Sequence, residues 1–322
     1  MSNSCPLRVL AVLLALLLPG CITISMSQGP SELTETTLEG KGRDKVLLID
    51  ISGMITDQER SSGLINPKTE PSLVDEIKAE LKKAEDDGHI KAVVLRINSP
   101  GGTVTASDII YHELTKFKAR TKLPVIACFM DLGTSGAFYV AQAADRIYAN
   151  PSSVTGSIGV IMVQVNIQGL FEKIGVQTTE IKSGELKFMG SPFRPLTPDE
   201  QKIFQTVIND MYGQFLSVVG KGRPKLTADQ IRADADGRIY TAGQAKELGL
   251  IDDIGYLSDA IAAAKQAAKL EKAKVVIYHQ ESNYKSTIYS IGNGGNGQGN
   301  VEINLGSLAA YTSPRFMYLW SP

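Results

Sequence analysis

Three nearly uninterrupted apolar runs, KVLLIDISGMI at 45–55, AVVLRIN at 92–98 and PVIACFM at 124–130, are separated by stretches with helical spacing. A strand that is apolar on both faces must be covered on both faces, which is the condition of a parallel sheet packed between helices. SLVDEIKAELKKAEDD (72–87), ending before Gly88, and ASDIIYHELTKFK (106–118), with apolar residues three and four apart, supply covering helices. RIYAN (146–150), SIGVIMV (157–163), VQTTEIK (176–182) and KVVIYHQ (274–280) are further strand candidates. A long amphipathic helix is expected over 198–222, with Pro198 in its first turn. GRIYTAGQAKELGLIDDIGYLSDAIAAAKQAA (237–268) reads as a short strand, a helix capped by Gly249, a turn and a last helix. Strands alternating with helices predict an α/β architecture with mainly parallel pairing.

The ends are of different material. After Arg8, the run VLAVLLALLL (9–18) has about half of the roughly 20 residues that a membrane-spanning helix needs, as in the apolar core of a secretory signal. Leu18-Pro19-Gly20-Cys21 resembles a bacterial lipoprotein box, which would place lipid on Cys21. The proline is not the usual small residue there, so a short uncleaved anchor stays open. The expected division is therefore a signal peptide or anchor at 1–21, a polar linker at 22–44, one catalytic domain at 45–280 and a flexible tail at 281–322. The tail carries GNGGNGQGN (292–300) and ends in YTSPRFMYLW (311–320). Phe316, Tyr318 and Trp320 are read as exposed: they could touch lipid, pack on a neighbour, enter a substrate groove as a self-inhibitor, or simply dock.

With 33 basic against 34 acidic residues and a net charge of −1, the chain shows no footprint for nucleic acid. Cys5 lies in the leader, Cys21 at its end and Cys128 in an apolar run, which leaves neither an intrachain disulfide framework nor a cysteine metal site.

Ser135, in DLGTSGAFYVAQAADRIYANP (131–151), stands before an alanine-rich helical run, the position of a nucleophile or of an ordinary helix N-cap. A triad needs an imidazole, but His89, His112 and His279 fall in a turn, on a helix and in a late strand. A neutral lysine can serve instead. From its reference pKa of about 10.4 it must drop by roughly three units, and burial in apolar surroundings is the simplest cause. KSGELKFMGSPFRP (182–195) offers Lys187 between Leu186 and Phe188, framed by Gly184 and Gly190. In NSPGGT (98–103), two glycines at a strand-to-helix junction let backbone N–H groups face a cleft, and the N–H of Gly136 adds a second donor.

NSPGGT, TSGAFY, TGSIGV and SGELKFMGSPFRP, in this order and at these separations, resemble the signal peptide peptidase A family of membrane-associated serine proteases, over about residues 45–265. The resemblance implies a Clp protease/crotonase-like ββα superhelix, with Ser135 as nucleophile and Lys187 as general base. Ser157 matches the hydroxyl that orients the lysine, and Gly102 and Gly136 match the oxyanion donors. It implies no cofactor and no metal. It also implies a dome-like homo-oligomeric ring, with eight subunits as one candidate count, in which Ser135 of one subunit can meet Lys187 of the next. Ala137 and Phe188 depart from the residues often found at their positions, and the single copy of the domain matches the short form of the family.

The expected function is a serine endopeptidase with a Ser-Lys dyad, membrane-associated in a bacterial envelope with its domain outside the cytoplasm. It would degrade cleaved signal peptides and other short hydrophobic peptides, with apolar or small residues at the acyl-side pockets. The rivals are a crotonase-type acyl-CoA enzyme and a catalytically silent, membrane-tethered scaffold that binds peptides.

Overall fold

The computed structural model describes residues 33–62, 68–280, 287–290 and 315–320. The leader and Cys21 lie outside the described residues, as does the glycine-rich run 292–300. The strands are β1 (Thr34–Gly40), β2 (Lys45–Ser52), β3 (Arg60–Ser62), β4 (Lys68–Glu70), β5 (Ile90–Ser99), β6 (Gly101–Thr103) and β7 (Val125–Thr134). They continue with β8 (Arg146–Ala149), β9 (Val154–Gly156), β10 (Ile161–Val163), β11 (Ile239–Thr241), β12 (Asp253–Ile254), β13 (Lys274–His279) and β14 (Arg315–Leu319).

The central sheet runs β1-β13-β2-β5-β7-β8-β12, and its core pairs β13-β2-β5-β7-β8 are parallel. Along β2, Leu47, Ile49 and Ile51 pack on the face covered by helices Leu73–Asp86 and Val104–Thr121. Val46 and Leu48 pack on the opposite face with Leu257 and Ile261 of helix Leu257–Ala267. Burial on both sides is what the continuous apolar runs demand. In the second layer burial pushes the Cys128 thiol up to about 12, as for an inert core residue.

The helix starts follow local chemistry. The Ser72 and Thr103 hydroxyls accept from the amides three residues on. Thr197 and Glu200 form a reciprocal capping box at the head of the long helix Pro198–Gly222.

Three sequence expectations change. SIGVIMV is not one strand: the chain breaks at Ser157, whose φ is +51°, between β9 and β10. VQTTEIK forms no strand; it runs exposed, has no described sheet edge beside it, and ends in a local ion-pair cluster of Lys182 with Glu180 and Glu185. Within the stretch read as a polar linker, β1 pairs antiparallel with β13 and forms the sheet edge.

Candidate active site

At its C-terminal end β7 forks. It leaves β8 and pairs in parallel with β9, Thr134 opposite Gly156. Ser135 follows at φ +54° and ψ −116°, a conformation that costs a non-glycine residue about 1–3 kcal/mol and persists only where the surroundings enforce it. Its N–H donates to the Gly156 carbonyl at 2.8 Å, and its carbonyl accepts from Tyr139 N–H at 2.9 Å. The backbone is thus held at both ends while the hydroxyl makes no capping bond. The ordinary N-cap reading of Ser135 does not hold, although the residue is only 1% exposed.

The SPGG turn builds the opposite wall. Ser99 Oγ accepts from Gly101 N–H at 3.1 Å. Ile55 N–H then donates to the Gly101 carbonyl at 2.8 Å, and Thr103 N–H donates to the Ile55 carbonyl at 2.9 Å. In an extended chain alternate groups point to opposite sides, so the N–H and C=O of Gly102 face away from Ile55, toward β14. A Cβ on Gly102 would lie 1.9 Å from the Ile55 oxygen, which excludes any other residue from this close approach. Gly101 has φ +102°, and its Cβ would lie 2.7 Å from the Gly136 nitrogen and 3.1 Å from Ser135 Cβ. A Cβ on Gly136 would come within 3.2 Å of the Gly102 nitrogen. The amides of Gly102 and Gly136 therefore border one small space beside Ser135, the geometry a carbonyl oxygen needs.

That space is filled. β14 lies between β6 and β10, antiparallel to both, in a three-stranded sheet with Tyr318 opposite Gly102 and Phe316 opposite Met162. Trp320 N–H continues the ladder to the Pro100 carbonyl at 2.9 Å. The Tyr318 carbonyl oxygen would be 2.0 Å from a Cβ on Gly101 and 3.1 Å from one on Gly136, so it sits in the angle between the two glycine amides. The tail's aromatics are not exposed as the sequence suggested: Tyr318 is 0% exposed, and Phe316 and Trp320 are half-buried. β6 and β10 form a groove that accepts an extended peptide by strand addition.

Ser157 follows β9, is 8% exposed, and donates its N–H to the Arg238 carbonyl at 2.7 Å. Because Gly156 bonds Ser135, Ser157 comes within one residue of the backbone contact of Ser135. Lys187 is not gathered with them. It sits on the 3-10 turn Glu185–Phe188 and is exposed, and its ammonium makes no hydrogen bond or ion pair with a described residue. The apolar burial expected from Leu186 and Phe188 is missing because this turn faces outward, with Leu186 itself 53% exposed.

The histidines give no triad. His89 meets Arg43, His112 is exposed, and His279 joins Thr36 at the β1–β13 edge. No group of acidic, histidine or cysteine residues suited to a metal occurs among the described residues.

Local spacing did not reveal the clamp beneath the lysine turn. Arg194 forks onto Glu200 and donates to the Phe188 carbonyl at 3.2 Å, its guanidinium 5.7 Å from the Phe188 ring centroid. The Arg194 bond, with help from Thr197, holds the Glu200 carboxyl at about 2 against an ordinary 4.5. A carboxyl depressed in the folded state stabilises above its unfolded pKa and loses that contribution as pH falls through the folded one. Thermal stability of the wild type is therefore expected to fall more steeply between pH 4.5 and 2 than that of Glu200→Gln, which starts lower at neutral pH. Equal acid slopes in melting curves would remove the clamp's contribution.

A strained serine facing two convergent backbone amides, in a parallel sheet with a strand-accepting groove, defines a serine peptidase of Clp-like fold. The family model for peptidase family S49 matches residues 117–271, and that for Clp protease matches residues 49–174. An Enterococcus faecium protein named "Putative signal peptide peptidase SppA" is 37% identical over 255 residues, covering 79% of this chain and 73% of its own. A Synechocystis protein named "Putative protease slr0021" is 40% identical over 233 residues, covering 72% and 78%. "Serine protease SPPA, chloroplastic" of Arabidopsis thaliana is 35% identical, covering 73% of this chain and 34% of its own. A solved ClpP1 mutant from Listeria monocytogenes aligns at 17% identity and a TM-score of 0.43, over 66% of this chain and 94% of that one. The chain belongs to peptidase family S49, the signal peptide peptidase A family.

Proposed function

We propose that the chain is a Ser-Lys endopeptidase that degrades short hydrophobic peptides, signal peptides among them, at a membrane surface. The observation behind it is the seat of the Tyr318 carbonyl, between the Gly102 and Gly136 amides and beside Ser135, where a scissile carbonyl belongs. In this mechanism neutral Lys187 takes the Ser135 proton, and the oxygen attacks the peptide carbonyl. The two amides stabilise the resulting oxyanion, and the lysine ammonium protonates the departing amine. Water then repeats the sequence on the acyl-enzyme, with Ser157 orienting the lysine.

The base comes from a second copy of the chain. Lys187 is exposed within its own subunit, and its segment carries uncovered apolar residues: Leu170 at 56%, Ile174 at 62% and Ile181 at 98% exposure. Docking that face on a neighbour would cover this surface and supply the apolar burial that lowers a lysine pKa. The ring-shaped homo-oligomer is thereby part of the catalytic design. The leader, held by lipid on Cys21 or retained as an anchor, keeps the domain at the membrane on the envelope side. No helix among the described residues is long and apolar enough to cross a membrane.

A fluorophosphonate probe tests the nucleophile. The detergent-solubilised full chain is expected to be labelled on Ser135, and Ser135→Ala to lose labelling while keeping its melting temperature. An unlabelled, folded wild type would favour the silent scaffold instead.

A further inference from the structure

The strand in the groove also carries information about side chains. Residues two apart on a strand share a face, so Phe316 and Tyr318 point to one side of β14. That side is the long helix Pro198–Gly222. Phe316 meets Phe204 at 6.3 Å between ring centroids, and Tyr318 meets Phe215 at 4.6 Å. Phe204, Met211 and Phe215 are seven and four residues apart, which places them on one stripe of the helix.

The Tyr318 ring also stacks on Tyr139 at 5.1 Å, with 26° between the planes, and its hydroxyl donates to the Met211 carbonyl at 3.0 Å. The pocket floor is braced. Tyr139 donates to Asp108 at 2.7 Å, and Gln214 bridges both groups at 3.0 and 3.2 Å. Tyr111 and Phe215 hold the Tyr139 ring edge-on. A residue whose carbonyl lies between the Gly102 and Gly136 amides is the one on the acyl side of the bond to be cut. Its pocket here is aromatic-walled, closed to water, and ends in a hydrogen-bond acceptor.

Building on the peptidase reading above, we propose that Tyr139, Phe215 and the Met211 carbonyl make this enzyme selective for tyrosine immediately before the scissile bond. Phe204 adds a preference for an aromatic residue two positions earlier. The acceptor is what separates tyrosine from phenylalanine: the Met211 carbonyl, in the middle of the helix, accepts a further hydrogen bond from a tyrosine hydroxyl, whereas phenylalanine fills the same walls without it. Alanine forfeits the walls as well.

The test is turnover of fluorogenic peptides Phe-Met-X by the full chain in detergent, with X as Tyr, Phe, Leu or Ala. The tail competes equally with every member of the series, so its effect divides out of the kcat/KM ratios. Tyrosine is expected to exceed phenylalanine by about fivefold to tenfold and alanine by about a hundredfold or more. Replacing the first Phe by Ala is expected to cost about tenfold. Phe215→Leu should compress the tyrosine-to-alanine ratio. If that buried variant fails to fold, the wild-type series still decides.

Ser135-dependent cleavage that ranks leucine or alanine at or above tyrosine overturns this inference and leaves the peptidase reading standing. Absence of Ser135-dependent cleavage across the series overturns both.

Discussion

Chains carrying Ser135→Ala or Lys187→Ala are each expected to lose about a thousandfold or more of their peptide turnover, because in the proposed dyad nucleophile and base act as a unit. Mixed in equal amounts under conditions that let subunits exchange, the two inactive chains are expected to regain up to about a quarter of wild-type activity, since half the serines and half the lysines meet at random across a head-to-tail contact. The reason is where the lysine lies. Ser135 is buried and its backbone fixed, whereas Lys187 stands exposed on a turn that Arg194 ties to the long helix. A surface that covers the turn would bring the lysine to a serine, and the exposed Ile174, Ile181 and Leu186 are suited to such a surface. Recovery in the mixture establishes a shared site. No recovery, with oligomer size unchanged, requires the lysine turn to fold back onto its own Ser135.

The same contrast shows what was legible in the sequence. The α/β alternation could be read because strands buried on both faces need long apolar runs, and β2, β5 and β7 have them. The glycines of SPGG and Gly136 could be read because close backbone approach excludes side chains, and each stands where a Cβ would collide. Lys187 has apolar neighbours in sequence, but burial is a property of what packs on a side chain, and the described chain leaves Leu186 and Lys187 exposed. VQTTEIK is rich in β-branched residues and joins no described sheet. The Arg194–Glu200 clamp and the seat of β14 depend on contacts that no local window contains. Tyr318 pairs with Gly102 across more than half the chain, so an aromatic tail could be noticed but not placed.

Removing residues 311–322 is expected to raise kcat/KM for short peptides by about tenfold to a hundredfold with little change in kcat, because a tethered strand competes at millimolar effective concentration for the same groove. It already holds what a substrate would hold: the ladder to β6 and β10, the angle between the Gly102 and Gly136 amides, and the pocket between Tyr139 and Phe215. The truncated chain should also melt at lower temperature, since the buried Tyr318 ring leaves Tyr139 and Phe215 facing water. Membrane retention should be unaffected, because the side chain most deeply placed in the groove is not free to touch lipid. The opposite kinetic result is as informative. β10 pairs with β14 and with no other described strand, so a fall in kcat on truncation would mean that the tail builds one wall of the groove rather than competing for it. In that case adding the excised peptide back should restore turnover instead of inhibiting it, and this reversal of sign separates a tail that blocks the site from one that completes it.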